Sequence, residues 1–306
     1  MSIRAWKRII TLFVIVLILS LLATTIVFAV NYSRVNKEYN QISSNTSLID
    51  LSDYSDLDTD ELKHLVTYLG NLDINNTLEY QQKYSHLYVD NNFVYEEDSG
   101  RKMCYLTFDD GPDISVTTKV LDTLKKYNIK ATFFVVYKDG RKERELYKRI
   151  VDEGHTIGVH TSSHNYSKIY SSVDNYLNDF DRCAEQIERV TGVKPEIFRF
   201  PGGSINSYNS SLYHELIAEM IRRGYTYYDW NVACDDASRP YVSSKTICDN
   251  VLNSSSSITK KIILMHDGKG HETTAEALPE IIEGLSKQGY EFAALDKSVA
   301  PICFGY

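Results

Sequence analysis

The five cysteines, Cys104, Cys183, Cys234, Cys248 and Cys303, include no Cys-X-X-Cys pair. That argues against a thiolate zinc site. Five is an odd number, so complete disulfide pairing is excluded, and mostly buried free thiols are expected. The chain also lacks a basic excess: 33 Lys and Arg stand against 41 Asp and Glu, for a net charge of −8. With no basic patch beyond the first residues, and no interleaving of aromatic with basic side chains, nucleic acid is excluded as a partner. The same acidity gives no electrostatic reason to adhere to an anionic surface. No internal repeat is visible. Hydrophobic residues make up 43% and charged residues 24% of the chain, which leaves material for a full core.

One long apolar run is present, from Ile9 to Val30. Its length, about 22 residues, spans a hydrocarbon core of roughly 30 Å and exceeds the apolar stretch of about 7–15 residues in a cleavable signal. Arg4, Lys7 and Arg8 precede it. Residues 1–8 therefore read as a cytoplasmic basic tail, 9–30 as a single-pass transmembrane anchor, and the remainder as extracytoplasmic. Cleavage near Ala29, giving a secreted form, is the alternative. Residues 31–98 are polar and read as a spacer, with one amphipathic piece at Leu62, Leu65, Val66 and Leu69 behind the cap candidates Asp58 and Thr59.

Residues 99–306 carry an alternating pattern. β-Rich runs occur at Met103–Phe108, Ala131–Val136, Thr156–His160, Ile197–Phe200, Thr226–Val232, Lys261–His266 and Glu291–Leu295. Helical patterns lie between them, at 115–127, 143–153, 173–190, 209–223, 243–253 and 273–288. Gly154, Gly224 and Gly289 stand where helices should end, each just before a strand. Strands alternating with helices imply a parallel sheet joined by crossover helices, and seven strands suggest an irregular α/β barrel.

Two adjacent carboxylates, Asp109 and Asp110, end the first strand just before Gly111-Pro112. Neighbouring side chains on a strand point to opposite faces, so both can serve one site only where the strand is ending. Like charges so close repel, and a cation relieves the cost. His160 and His164, four residues apart, would share one face of a helical turn. Two imidazoles and one carboxylate form a common ligand set for a catalytic zinc ion with an open position. Residues alone leave open which aspartate is the ligand. Asp109, His160, Arg199 and His266 all fall at or just after strand C-termini, the rim where barrel enzymes place their chemistry.

These motifs, over roughly residues 100–300, resemble the polysaccharide deacetylases of the NodB-homology type, carbohydrate esterase family 4. The resemblance implies a distorted (β/α)7 barrel. It assigns Asp109 as general base and Asp110, His160 and His164 as ligands of a divalent metal; zinc fits, as would cobalt or nickel. Arg199-Phe200-Pro201-Gly202-Gly203 is similar to the third motif, with Arg199 expected to pair with Asp109. The commoner form has an aromatic residue where Gly202 stands. Glycine keeps the backbone N–H that helps hold an oxyanion, but a side-chain wall of the groove is expected to be lost. Ile263-Leu264-Met265-His266-Asp267 is similar to the last motif, with Leu264 shaping the acetyl pocket and His266 as general acid. Asp236 is assigned to tuning His266, with Asp229 and Asp235 as alternatives, and Trp230 is placed either along the groove or in the core.

His155, His214 and His271 are excluded from the metal site, with His271 read as part of a solvated loop, and His64 and His86 belong to the spacer. The 23 tyrosines are read as ordinary filler rather than as sugar-stacking surfaces. The expected activity is metal-dependent removal of N-acetyl groups from N-acetylglucosamine units of cell-wall peptidoglycan, releasing acetate. Other substrates in the same chemistry are chitin oligomers, exopolysaccharide, muramoyl units and acetylxylan. A non-catalytic wall-binding protein is the rival of another class. The oligomeric state is left open.

Overall fold

The computed structural model describes residues 78–90, 95 and 100–304. The expected tail, the anchor and most of the expected spacer, including the Leu62–Leu69 piece, lie outside those residues. Among the described residues no helix is long and apolar enough to cross a membrane.

The described elements are α1 (Glu79–Lys83), β1 (Met103–Asp109), α2 (Val116–Tyr127), β2 (Thr132–Val136), α3 (Arg141–Asp152), β3 (Thr156–Thr161), α4 (Tyr166–Ile169), α5 (Val173–Thr191), β4 (Ile197–Phe198), α6 (Tyr213–Arg222), β5 (Thr226–Tyr227), β6 (Val232–Ala233), α7 (Ser244–Leu252), β7 (Lys260–His266), α8 (Glu272–Lys287) and β8 (Glu291–Ala293). The six longer expected helices are present to within a few residues. Gly154, Gly224 and Gly289 all adopt positive φ, as helix-ending glycines do. The single-turn helix α4 was not expected. Its start is capped by Asn165, whose side chain accepts from Lys168 N.

All strand pairs are parallel, in the order β5-β4-β3-β2-β1-β7-β6. β8 pairs with Met103–Tyr105 of β1, while β2 pairs with Thr107–Asp109, so the two share one flank of β1 end to end. The sheet curls into a half-barrel. The expected fifth strand, Thr226–Val232, is broken into β5 and β6, which occupy opposite edges of the curl. The break lies at Asp229. Its backbone N–H donates to Ile302 O rather than to a strand, and its carboxylate accepts from Ser204 and from Phe304 N. The stretch 302–304 thus binds Asp229 where a strand partner would otherwise stand.

Alternation along β1 sorts side chains into two layers. Cys104, Leu106 and Phe108 face the helices in the main core, joined by Phe133, Val135, Ile263 and Met265. Tyr105, Phe134, Ile197, Tyr228 and Ile262 fill the inside of the curl as a second apolar cluster. Above that floor the inward positions turn polar, beginning with Thr107 and ending at Asp109. All five cysteines are free thiols, four of them buried.

Residues 84–89 of the expected spacer pack on α6. Arg223, 1% exposed, donates to Leu87 O at 3.0 Å and to Tyr84 O, and pairs with buried Glu219 at 2.7 Å. Val89 N returns a bond to Arg223 O. Arg223→Ala leaves a carboxylate and the carbonyls of Tyr80, Tyr84 and Leu87 without this donor inside the protein, and we expect a loss of about 3 kcal/mol or more in urea unfolding. Proteolysis should then open first at residues 84–89. A variant with unchanged stability would show that this strap is not held by Arg223.

Candidate active site

The site lies at the C-terminal ends of β1, β3, β4 and β7. Asp109 is the last residue of β1 and the register partner of His266, the last of β7. Asp110 follows with φ +72, which turns its side chain back toward the same cavity. The turn requires Gly111: a Cβ there would lie 2.4 Å from Asp267 Oδ1. Asp267 itself is buried and accepts from Thr117 Oγ1 at 2.6 Å. Burial, with Asp110 and Asp109 adding to it against the Thr117 bond, pushes its carboxyl up to about 7.

Asp110, His160 and His164 converge. Asp110 Oδ1 stands 3.6 Å from His160 Nε2 and 3.2 Å from His164 Nε2. The two imidazoles do not meet on a helical turn, as their spacing suggested. His160 sits on β3, and the chain then reverses through Thr161 at φ +105 and His164 at φ +50. Asp179, buried mid-way along α5, holds that reversal by accepting from Ser162 N at 2.6 Å and Ser163 N at 2.9 Å. Sequence reasoning missed Asp179; its signal is an acidic residue on the buried face of a helix, among Tyr176, Phe180 and Cys183.

The three side chains fit a divalent cation. His160 Nδ1 faces Arg199 O at 2.9 Å, so it must carry the proton and leave a lone pair on Nε2. Burial pushes His160 down to about 3, so the ring is neutral. A lone pair then faces Asp110 Oδ1, which is buried and has no hydrogen-bond partner among the described residues. Two acceptors aimed at one point, with no donor between them, suit a positive ion.

Arg199 lies just beyond β4, fully buried. Its Nη1 donates to Asp109 Oδ1 at 2.9 Å and to Thr107 Oγ1 at 2.7 Å, its Nε to Tyr228 O, and its Nη2 to Asp229 O. The guanidinium stacks over Phe134 at 4.4 Å. Burial raises the Asp109 carboxyl above its ordinary value, and the Arg199 charge opposes that rise. Trp230 contacts Phe304 edge-on at 4.8 Å and lies 5.7 Å from the Arg199 guanidinium, so its ring braces that side of Arg199. Leu264, half-buried, is the register partner of Thr107 and Ala233 on the inner face.

Among the three aspartates considered for His266, Asp236 is the one in contact. Its Oδ1 lies 2.7 Å from His266 Nδ1, and its Oδ2 accepts from His266 N and Thr274 Oγ1, each at 2.8 Å. Asp229 is committed to the Ser204 loop and the 302–304 stretch, and Asp235 is exposed. Burial acts to lower His266, but the Asp236 bond and charge, with Asp109 and Asp110, push the ring up to about 9. His271 is not a solvated loop residue. Its ring stacks on His266 at 5.1 Å and its Nδ1 lies 3.7 Å from Asp236 Oδ2. Asp236, His266 and His271 are close enough to form a second candidate cation cluster. Both Asp236 oxygens already accept hydrogen bonds, which suits an acid–carboxylate pair better than a metal site.

Gly202 does not leave an empty wall. A Cβ there would lie 2.8 Å from Tyr166 Cε1, so the Tyr166 ring already fills that space.

A model of the polysaccharide deacetylase family matches residues 96–221. A peptidoglycan-N-acetylglucosamine deacetylase of Bacillus cereus is 34% identical over 211 residues, covering 67% of this chain and 73% of that protein. The peptidoglycan-N-acetylglucosamine deacetylase PgdA of Listeria monocytogenes is 36% identical over 196 residues, 64% of this chain and 38% of that protein. The crystal structure of the catalytic domain of a peptidoglycan N-acetylglucosamine deacetylase from Eubacterium rectale superposes with a TM-score of 0.64 at 34% identity, covering 69% of this chain and 96% of that one.

The Asp236–His266 pair is testable without substrate. In Asp236→Asn the charge is gone while burial and the weaker pull of Asp109 and Asp110 remain, so the imidazole midpoint should fall from about 9 toward its ordinary 6.5 in an NMR titration. A raised folded-state pKa stabilises the fold fully below pH 6.5, and that contribution fades as pH rises through about 9. The stability difference between wild type and variant should therefore narrow across that window. A midpoint that stays near 9 in the variant would remove Asp236 from this role.

Proposed function

This chain belongs to the polysaccharide deacetylase family and is an N-deacetylase acting on amide bonds of a polysaccharide, and we propose that its substrate is the N-acetylglucosamine unit of cell-wall peptidoglycan. One observation carries the chemistry: an Arg199-held carboxylate, Asp109, stands on the strand next to a carboxylate-held imidazole, His266, in matching register. A base and an acid are thereby set side by side at one cavity mouth.

Asp110, His160 and His164 would hold the divalent cation, zinc by ligand type. When bound, such an ion supplies water activation near neutral pH and polarisation of the acetamide carbonyl. Asp109 takes the proton of the attacking water, and Arg199 and Thr107 fix the direction of its carboxylate. In this reading the Gly202 N–H is the donor to the oxygen that gains charge, and Leu264 shapes the pocket for the acetyl methyl. His266, protonated through Asp236, gives its proton to the nitrogen as the C–N bond breaks. Acetate departs, and the sugar keeps a free amine. Because that amine is protonated at neutral pH, each turnover adds one positive charge to the wall.

The peptidoglycan assignment is supported by the relatives at 34–36% identity that are named for that substrate. It is also supported by the apolar run Ile9–Val30 behind Arg4, Lys7 and Arg8, which would anchor the enzyme in the cell membrane with its catalytic part outside.

The full chain should release acetate from purified wall and from N-acetylglucosamine oligomers, and chelator should stop the release. Mass spectrometry of the products identifies the sugar that changed. Turnover confined to acetylxylan, chitin or muramoyl units would replace the substrate and keep the chemistry. Asp109→Asn and His266→Ala should each lower kcat by about 10²–10⁴; normal turnover in either would refute that residue's role. His164→Ala should lose metal on dialysis, measured by elemental analysis, and full retention would displace it as a ligand.

A further inference from the structure

We propose that Tyr166 and Tyr208 form a stacking wall for a pyranose ring of the substrate, beside His164. This rests on the reading of the substrate as a sugar polymer, and it adds a residue pair that the reaction itself does not use. Tyr166 opens α4 just after the loop that carries His164, Tyr208 lies in the loop before α6, and the two rings meet 5.1 Å apart, inclined at 53°. Tyr166 stands edge-on to His164 at 5.2 Å, so it borders the candidate metal ligands directly. Tyr208 is 57% exposed.

Both loops are tied to Pro201–Gly203. Tyr170 Oη donates to Pro201 O at 2.7 Å, which fixes the end of α4. Asn206 Nδ2 donates to Pro201 O at 3.2 Å and Gly203 O at 3.1 Å, while Asn206 Oδ1 accepts from Tyr208 N at 2.9 Å. Gly202 has φ +76 and no side chain, and the Tyr166 ring lies over it with its hydroxyl 3.1 Å from where a Cβ would stand. The backbone is left bare, so an aromatic face from another element covers it.

A pyranose presents an apolar C–H face rimmed by hydroxyls and an acetamide. A half-buried tyrosine next to an exposed one, both fixed from behind, offers the matching surface: an apolar ring with a polar edge. Core packing would account for Tyr166 alone. It does not account for Tyr208, whose backbone Asn206 fixes and whose exposed ring meets Tyr166 beside the candidate metal ligands.

The probe is tetra-N-acetylchitotetraose. Its binding is measured by NMR on the full chain carrying Asp109→Asn, and its turnover is measured on the otherwise wild-type chain. Tyr208→Ala and Tyr166→Ala should each weaken Kd about tenfold, roughly 1.4 kcal/mol. Each should raise KM by more than it lowers kcat. Tyr166→Phe should keep most of the binding, since it retains the ring. Thermal melting and metal content are read alongside. A fall in either with Kd and KM unmoved would make the tyrosines structural and overturn the wall. Wild-type protein that fails to bind the probe overturns it too. Binding that the tyrosine substitutions weaken, with no acetate released by the wild type, would sustain the wall while sinking the deacetylation of this sugar.

Discussion

The buried pair of Arg199 and Asp109 is the constraint on which the rest of the site is built. Both charges are withdrawn from water, and such a pair persists only where further hydrogen bonds satisfy what remains of each group. Arg199 meets that demand with four partners from two parts of the curl: Asp109 and Thr107 on β1, Tyr228 and Asp229 beyond β5. The flat face of its guanidinium rests on Phe134 of β2. The polar layer above the apolar floor is therefore a single network rather than a set of separate polar residues. Removing one member strands the others in a low-dielectric interior.

Two histidines in this network end in opposite protonation states, and the causes are local. His160 has a carbonyl behind its Nδ1 and is buried; it is held neutral, pushed down to about 3. His266 has a carboxylate behind its Nδ1 and is pushed up to about 9. A neutral ring with a free lone pair is a ligand, whereas a charged ring is a proton donor. The division of labour between residues of the same type follows from which oxygen stands behind each one.

Much of this was legible in the sequence because strand ends and turns have short-range signatures. The acidic pair before Gly111-Pro112, the His160–His164 spacing, and the glycines at helix ends all marked positions that the fold uses. Three things are not settled by sequence. Asp236 is the assignment for His266, and it is the aspartate in contact, but Asp229 and Asp235 stay open as alternatives because which of them faces β7 is a tertiary fact that three carboxylates within eight residues cannot disclose. The break of the fifth strand depends on the 302–304 stretch competing for the backbone of Asp229, a contact between segments about seventy residues apart. His271 reads as a solvated loop residue and Tyr166 falls among tyrosines read as filler, because a turn between β7 and α8 folds the one back onto His266 and tertiary packing brings the other over Gly202.

Strands β5 and β6 are consecutive in the chain yet form the two lips of the curled sheet, one next to Arg199 and the other leading into Asp236. The peptide from 228 to 231 therefore acts as a hoop whose length sets the circumference of the mouth. Loops elsewhere on the rim can lengthen without altering that circumference. One residue gained or lost in the hoop would shift the Arg199 side of the mouth against the Asp236 side, while the base and the acid stay paired across β1 and β7. The tolerance of this enzyme to insertion should thus be uneven around its rim, lowest where the chain looks most like a simple linker.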